Sequence, residues 1–226
     1  MIPLKDKNPS KTIPIITVLL ILANIFVFIY QNFIVSGGAV PLFSRLGCIP
    51  YEFTHFVDID PPALIPFPLT LLTSMFMHGG WIHLLSNMLF LWIFGDNIED
   101  KLGHLRYLSF YILCGIAGSF FHILTNLDSQ IPTIGASGAI AGVMGAYMFL
   151  FPKARIKTLL VFVIFFQVIN IPAVIMIGYW ILIQVLSGLA EFGSQSKSGI
   201  AWFAHIGGFI TGFIFIIIMR KGRRGR

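Results

Sequence analysis

The chain is poor in charged residues. Of its 226 residues only 11% are Asp, Glu, Lys or Arg, whereas 57% are hydrophobic, and the mean hydropathy is +0.88. A typical soluble domain carries about 25% charged residues. The composition therefore excludes an ordinary soluble domain and indicates an integral membrane protein. Cysteine is scarce too: Cys48 and Cys114 alone form no disulfide framework.

Long apolar runs make up most of the chain. A membrane-spanning helix needs about 20 mainly apolar residues, or fewer when other helices surround it. Six segments qualify, namely 13–35, 81–95, 105–125, 137–151, 171–188 and 199–219. The fourth is the shortest, and we expect it to be the central helix. The prediction is an all-α bundle of six transmembrane helices over residues 13–219, between an N-terminal segment, 1–12, and a basic tail, 220–226.

Three stretches need separate interpretation. The first apolar segment is too long for the core of a signal peptide, so we expect a retained anchor, with cleavage after Ala39 as the alternative. Segment 37–70 is rich in proline and aromatic residues, and we expect it to lie partly in the membrane interface. Segment 159–170 is apolar and β-branched, and Pro172 separates it from the fifth helix. It is expected to be a re-entrant or extended element on the cytoplasmic side.

The basic residues are distributed unevenly between the segments. Six crossings place 13 of the 15 Lys and Arg residues on one side, and only Arg45 and Lys197 on the other. Because cytoplasmic loops carry an excess of Lys and Arg, both chain ends are predicted to be cytoplasmic. The short ends suggest a prokaryotic plasma membrane. The basic tail is explained by anionic lipid, without nucleic acid. The 13 residues are Lys5, Lys7, Lys11, Lys101, Arg106, Lys153, Arg155, Lys157, Arg220, Lys221, Arg223, Arg224 and Arg226.

Polar side chains from three segments fall at one predicted depth. His83 and Asn87 lie near the outer end of the second segment, Ser137 begins the fourth, and His205 lies about six residues into the sixth. At 1.5 Å per residue, all four lie in roughly the outer third of the bilayer. Ionisable groups inside a membrane are costly and usually functional.

Stripes of small residues predict which of these side chains meet. Gly138 and Gly142 line the fourth helix, and Gly208 and Gly212 line the sixth, at spacings that permit close helix packing. Docking the two stripes brings Ser137 and His205 together. Ser137 alone could be one more packing residue, but a histidine beside the partner stripe favours a nucleophile and its base.

The surroundings of Ser137 suit attack on a carbonyl. Gly135 can adopt a backbone conformation closed to other residues, and the free N–H groups at the helix start suit a negative charge. His83 and Asn87 share a helix face and could donate hydrogen bonds to an oxyanion. Asn87 could instead bond a neighbouring helix, and for His78 we prefer a structural contact.

Other hydrolytic chemistries lack their residues. There is no His-Glu-x-x-His pattern for a metalloprotease, and no Asp lies within an apolar segment for an aspartyl protease. The soluble nucleophile-elbow fold needs a strand before Ser137, and the membrane segments exclude it. No acid near His205 completes a triad, so a Ser-His dyad without metal or cofactor is predicted.

Three motifs together resemble the rhomboid intramembrane serine proteases. His83-x-x-x-Asn87 is similar to the family's second-helix motif, Gly135-Ala136-Ser137-Gly138 to its nucleophile motif, and Ala204-His205-x-x-Gly208-x-x-x-Gly212 to its last-helix motif. The resemblance implies a serine endopeptidase that cuts transmembrane protein substrates. Ser137 would be the nucleophile and His205 the base, with Asn87, His83 and the Ser137 N–H as oxyanion hole. Many members carry a Tyr where this chain has Ala141, so the group that orients His205 is unidentified.

Two non-enzymatic functions compete with this prediction. A catalytically silent rhomboid-like binder should have lost Ser137 or His205, and both are present. A small transporter usually shows related halves with interrupted helices, and the sequence contains no such repeat.

Overall fold

The computed structural model describes residues 1–35, 38–162, 165–192 and 199–224. Some residues named in the sequence predictions lie outside this part of the chain, namely Gly37, residues 163–164, Lys197 and Arg226. The described chain is mainly helical. In chain order the helices are α1 (Ile15–Ile29), α2 (Val40–Leu46), α3 (Pro50–His55), α4 (Thr70–Thr73), α5 (Trp81–Leu102), α6 (His104–Thr125), α7 (Ser137–Leu150), α8 (Ala173–Glu191) and α9 (Trp202–Arg224).

The six predicted apolar segments correspond to α1, α5, α6, α7, α8 and α9. A π-helical turn, Tyr30–Ile34, extends α1. Within the described ranges, four stretches are long and apolar enough to cross a membrane, as expected of a multi-pass membrane protein: Ile15–Ile34, His104–Thr125, Ala173–Glu191 and Trp202–Arg220. Helix α5 ends in a polar run, and α7 has only 14 residues, so neither meets the same criterion.

Helix α7 is buried from Gly138 to Tyr147 and contacts α5, α6, α8 and α9. Small residues allow these neighbours to approach its backbone closely. The fully buried rings of Phe94 and Tyr147 pack edge to face, with centroids 4.9 Å apart. The buried stretch of α7 is therefore part of the hydrophobic core.

A small antiparallel sheet departs from the predicted all-α fold. Its strands are β1 (Ile2–Asp6), β2 (Arg155–Phe162) and β3 (Phe165–Pro172), in the spatial order β1-β2-β3. The β-branched residues between 156 and 171 favour strands, and pairing satisfies their backbone groups. The described parts of segment 159–170, residues 159–162 and 165–170, are thus extended, and the predicted break at Pro172 is confirmed because α8 begins at Ala173.

The N-terminal segment and the start of α1 are tied to the C-terminal ends of α7 and α5. The buried carboxylate of Glu99 accepts hydrogen bonds from the backbone N–H of Ile16 and from the N–H and hydroxyl of Thr17, at 2.8, 2.8 and 2.7 Å. The carboxylate of Asp6 accepts one from the Tyr147 hydroxyl at 2.8 Å. These bonds fix one end of the bundle, opposite the N-terminal ends of α5 and α7.

Candidate active site

Ser137 and His205 meet at the N-terminal ends of two helices. Ser137 is the first residue of α7, and His205 lies in the first turn of α9. The Nε2 atom of His205 lies 2.7 Å from Oγ of Ser137. Both residues are half-buried. A hydroxyl within hydrogen-bond reach of an imidazole nitrogen can pass its proton to that nitrogen as it attacks an electrophile.

Close packing of α7 against α9 brings the two side chains together. A Cβ atom built on Gly208 would lie 2.0 Å from the carbonyl oxygen of Gly138, and one built on Gly212 would lie 2.0 Å from that of Gly142. Any side chain at Gly208 or Gly212 would push the helices apart. Since Ser137 directly precedes Gly138 and His205 lies about one helical turn before Gly208, such a displacement would also separate their side chains.

Gly135 shapes the loop before Ser137. Its φ of +122° is one that residues with a side chain rarely adopt, and a Cβ there would lie 2.7 Å from Nε2 of His83. Its N–H donates to the carbonyl oxygen of Ser74 at 2.8 Å.

The backbone of Cys48 pairs with that of Thr133 in the same loop. Cys48 and Cys114 are both buried free thiols.

Helix α5 presents Asn87 and His83 to the same region. Nδ2 of Asn87 lies 2.9 Å from Nε2 of the buried His78, and the rings of His78 and His83 are 4.9 Å apart. Burial, followed by the neighbouring His83, lowers the pKa of His78 to about 3. The neutral His78 ring can therefore accept a hydrogen bond from the Asn87 amide. This contact is the structural one that the sequence favoured for His78, and it fixes the orientation of Asn87.

Helix α8 contributes residues that the sequence prediction did not include. Oε1 of Gln184 lies 2.7 Å from Nδ1 of His205, and the Trp180 ring lies 5.7 Å from the His205 ring, centroid to centroid. Trp202 of α9 contacts the same imidazole edge to face, at 6.3 Å. Gln184 is a polar residue in an otherwise apolar stretch of helix, which is a signal for a functional side chain.

A cavity of about 950 Å³ lies at the N-terminal ends of α5, α7 and α9. Its walls include His83, Asn87, Ser137, Trp180, Trp202 and His205. A cavity of this size holds a ligand as large as a short peptide. Across the described ranges, no three His, Cys, Asp or Glu side chains cluster as a metal site requires.

Comparison with known proteins identifies the class of this membrane bundle. Residues 68–222 match the family model described as Rhomboid domain. This match covers more than half of the chain, so the chain belongs to the rhomboid family.

Three relatives illustrate the match. Rhomboid protein 1, mitochondrial, from Saccharomyces cerevisiae is 33% identical over 152 residues, covering 65% of this chain and 40% of the relative. RHOMBOID-like protein 6, mitochondrial, from Arabidopsis thaliana is 33% identical over 158 residues, covering 66% and 44%. Rhomboid protease GluP from Bacillus subtilis is 34% identical over 143 residues, covering 63% and 24%. The chain thus matches less than half of the length of these relatives, one of which is named a protease.

The predicted location in a prokaryotic plasma membrane, with cytoplasmic chain ends, is wrong. The yeast and Arabidopsis relatives are eukaryotic, two of them are named mitochondrial, and they do not support a prokaryotic origin. The prediction rested on the short chain ends, and their length has no physical bearing on which membrane holds the protein. The distribution of Lys and Arg orients a chain across a membrane but does not identify that membrane.

Proposed function

We propose that this chain is an intramembrane serine endopeptidase that hydrolyses peptide bonds in or near the transmembrane segments of membrane-protein substrates. The observation that carries this proposal is the 2.7 Å approach of His205 Nε2 to Ser137 Oγ beside an open cavity. The protease-named relative supports the same reaction class. No metal or cofactor is required, because a serine and a histidine supply both nucleophile and base.

In the proposed reaction, the Ser137 oxygen attacks the scissile carbonyl carbon while its proton passes to Nε2 of His205. His205 then gives this proton to the leaving amine, and an acyl-enzyme on Ser137 remains. A water molecule, deprotonated by the same imidazole, hydrolyses the acyl-enzyme and restores the serine. Both half-reactions pass through a tetrahedral intermediate with a negatively charged oxygen.

The oxyanion hole would consist of the Asn87 amide, the His83 ring and the backbone N–H of Ser137. Asn87 has two amide protons, and the bond to His78 occupies only one of them. His83 adjoins Gly135, two residues before the nucleophile. Donors arranged in advance around a developing oxyanion are worth several kcal/mol.

We further propose that all six apolar helices span the bilayer, with α7 at the centre of the bundle. The burial of α7 from Gly138 to Tyr147 supports this position, since a helix of 14 residues is too short to span lipid alone. Residues 13–219 would then form the membrane domain, flanked by the N-terminal segment 1–12 and the basic tail 220–226. The partners are the bilayer and transmembrane proteins, not nucleic acid.

The deciding experiment incubates purified protein in detergent with a transmembrane substrate and, separately, with a fluorophosphonate label. Ser137→Ala and His205→Ala should each abolish cleavage, and Ser137→Ala should also abolish labelling. Ser109→Ala is the matched control, because Ser109 is an exposed serine of α6. Cleavage that persists in Ser137→Ala would rule out this mechanism. Substrate binding without cleavage by the wild type would instead indicate a silent binder.

A further inference from the structure

Gln184 binds the edge of the His205 imidazole that faces away from Ser137. Its Oε1 lies 2.7 Å from Nδ1 of His205, and its Nε2 donates to the backbone carbonyl of Trp180 at 3.2 Å. The side chain is 5% exposed. A buried amide with both ends bonded has a fixed orientation, because reversing it would bring two oxygens together at Trp180.

This orientation determines which ring nitrogen of His205 carries the proton. An amide oxygen only accepts hydrogen bonds, so Nδ1 must donate to Oε1. The neutral ring then has a bare Nε2, which is the atom 2.7 Å from the Ser137 hydroxyl. With the opposite tautomer, Nε2 would carry a proton and could not take one from serine.

We infer that Gln184 is the positioning residue of the Ser137–His205 pair, holding His205 in the Nδ1–H tautomer and in contact with Ser137. The inference rests on the proposed function and extends it to a residue on α8. Trp180, four residues earlier, packs on the same ring and limits its tilt. Gln184 thus takes the place of the acid in a Ser-His-Asp triad, with a neutral acceptor in place of a carboxylate.

The Gln184 amide has no net charge, so it stabilises the positively charged His205 of the transition state only through its dipole. Losing one neutral hydrogen bond corresponds to about a tenfold loss of rate, and losing the correct tautomer adds to that loss. Gln184→Leu, which keeps the approximate volume, should therefore lower kcat about 10- to 100-fold while KM stays within about twofold. Gln167→Leu, on exposed β3, makes the same chemical change far from the site and should match the wild type.

A variant with an ionisable acceptor separates positioning from packing. In Gln184→Glu, the protonated acid can replace both bonds of the amide, accepting from Nδ1 and donating to the Trp180 carbonyl, whereas the ionised carboxylate places a full negative charge beside the imidazole that becomes cationic in the transition state. The ratio of its kcat to that of the wild type should therefore rise as pH rises and the acid ionises. The other titratable side chains that line the cavity, His83, His122 and Glu191, are the same in both proteins, so their effects cancel in this ratio.

The test measures these rates on a transmembrane substrate, together with ¹⁵N-histidine NMR of the wild-type protein, in which His205→Ala identifies the His205 signal. The Nδ1–H tautomer in the wild type is the expected result. The inference would be overturned by any of three results. These are wild-type rates in Gln184→Leu, a ratio of Gln184→Glu to wild-type kcat that does not change with pH, and the Nε2–H tautomer of His205 in the wild type. An inactive wild type with the Nδ1–H tautomer would refute the proposed function and leave the positioning of His205 intact.

Discussion

Gly208 of α9 lies against Gly138 of α7 so closely that a methyl group on Gly208 would meet the Gly138 carbonyl oxygen at 2.0 Å. Real Cβ atoms do not approach backbone oxygen to this distance, and a backbone carbonyl cannot rotate away as a flexible side chain can. The helix contact next to the Ser137–His205 pair therefore depends on hydrogen as the side chain of residue 208.

Gly208→Ala should destabilise the protein and reduce catalysis at once. Forcing a methyl into a packed helix contact costs about 1–3 kcal/mol, and the resulting displacement lengthens the Ser137–His205 distance. Unfolding in detergent and cleavage rates measure the two effects.

Gly178→Ala is the matched control, because a Cβ on Gly178 of α8 meets no atom within 4 Å. It should be neutral, or stabilising by up to about 1 kcal/mol through helix propensity. Equal effects of the two substitutions would contradict the close contact between α7 and α9.

The helices were largely predictable from local hydropathy, but their ends were not. Helix α5 was predicted to end at residue 95 and continues to Leu102. The difference arises because its polar residues bond the N-terminal segment and the start of α1: Asn97 donates to Asp6 at 3.0 Å, and Glu99 accepts from Thr17. Likewise, β1 pairs with a strand about 150 residues away, and no local pattern reveals such a contact.

The candidate site was predictable where its residues are spaced along helices. The glycine stripes bring Ser137 to His205, and a spacing of four puts His83 and Asn87 on one helix face. Gln184 was not predicted, because the rotation of α8 toward His205 depends on tertiary packing. A single amide side chain within an apolar helix nevertheless indicates a functional residue.

Glu99 and Asp100 are neighbouring carboxylates of α5, one buried and one exposed. Both accept hydrogen bonds from backbone N–H groups at or just before the start of α1. Glu99 is fully buried and accepts from the N–H of Ile16 and Thr17, at the start of α1. Asp100 accepts from the N–H groups of Lys11 and Thr12 at an exposed position. Glu99→Ala should cost about 3 kcal/mol, because buried donors lose a charged acceptor, whereas Asp100→Ala should cost less than about 1 kcal/mol.

The free energy of unfolding of both variants in detergent, at one pH and salt concentration, checks this comparison. An equal loss of unfolding free energy in the two variants would show that burial of the carboxylate does not set the strength of these hydrogen bonds.

Asp6 should make stability depend on pH. Burial raises the pKa of Asp6 from 3.8 to about 6, against the lowering effect of the Tyr147 hydrogen bond. The folded state therefore binds the proton more tightly than the unfolded state between pH 4 and pH 6, so the contribution of Asp6 to stability falls as pH rises through this window. The wild type should lose about 1–2 kcal/mol relative to Asp6→Asn between pH 4 and pH 7, a full shift discounted for partial solvation.

Unfolding measured at both pH values in both proteins tests the sign as well as the size of this effect. Groups far from Asp6 contribute equally in the two proteins and cancel in the difference, whereas the charge of the neighbouring Asp96 is one of the causes that raise the pKa of Asp6. A difference that does not change with pH, or that grows in favour of the wild type, would show that Asp6 keeps an ordinary acidity.

Asn87→Ala tests the proposed oxyanion hole. Removing one oxyanion donor costs about 100- to 1000-fold in kcat, and because the donor acts on charge that develops only in the transition state, KM should change little. Asn170→Ala, at an exposed position of β3, removes the same amide away from the cavity and should retain wild-type rates. Steady-state kinetics on the transmembrane substrate distinguish the outcomes, since a higher KM with unchanged kcat would make Asn87 a substrate-binding group instead.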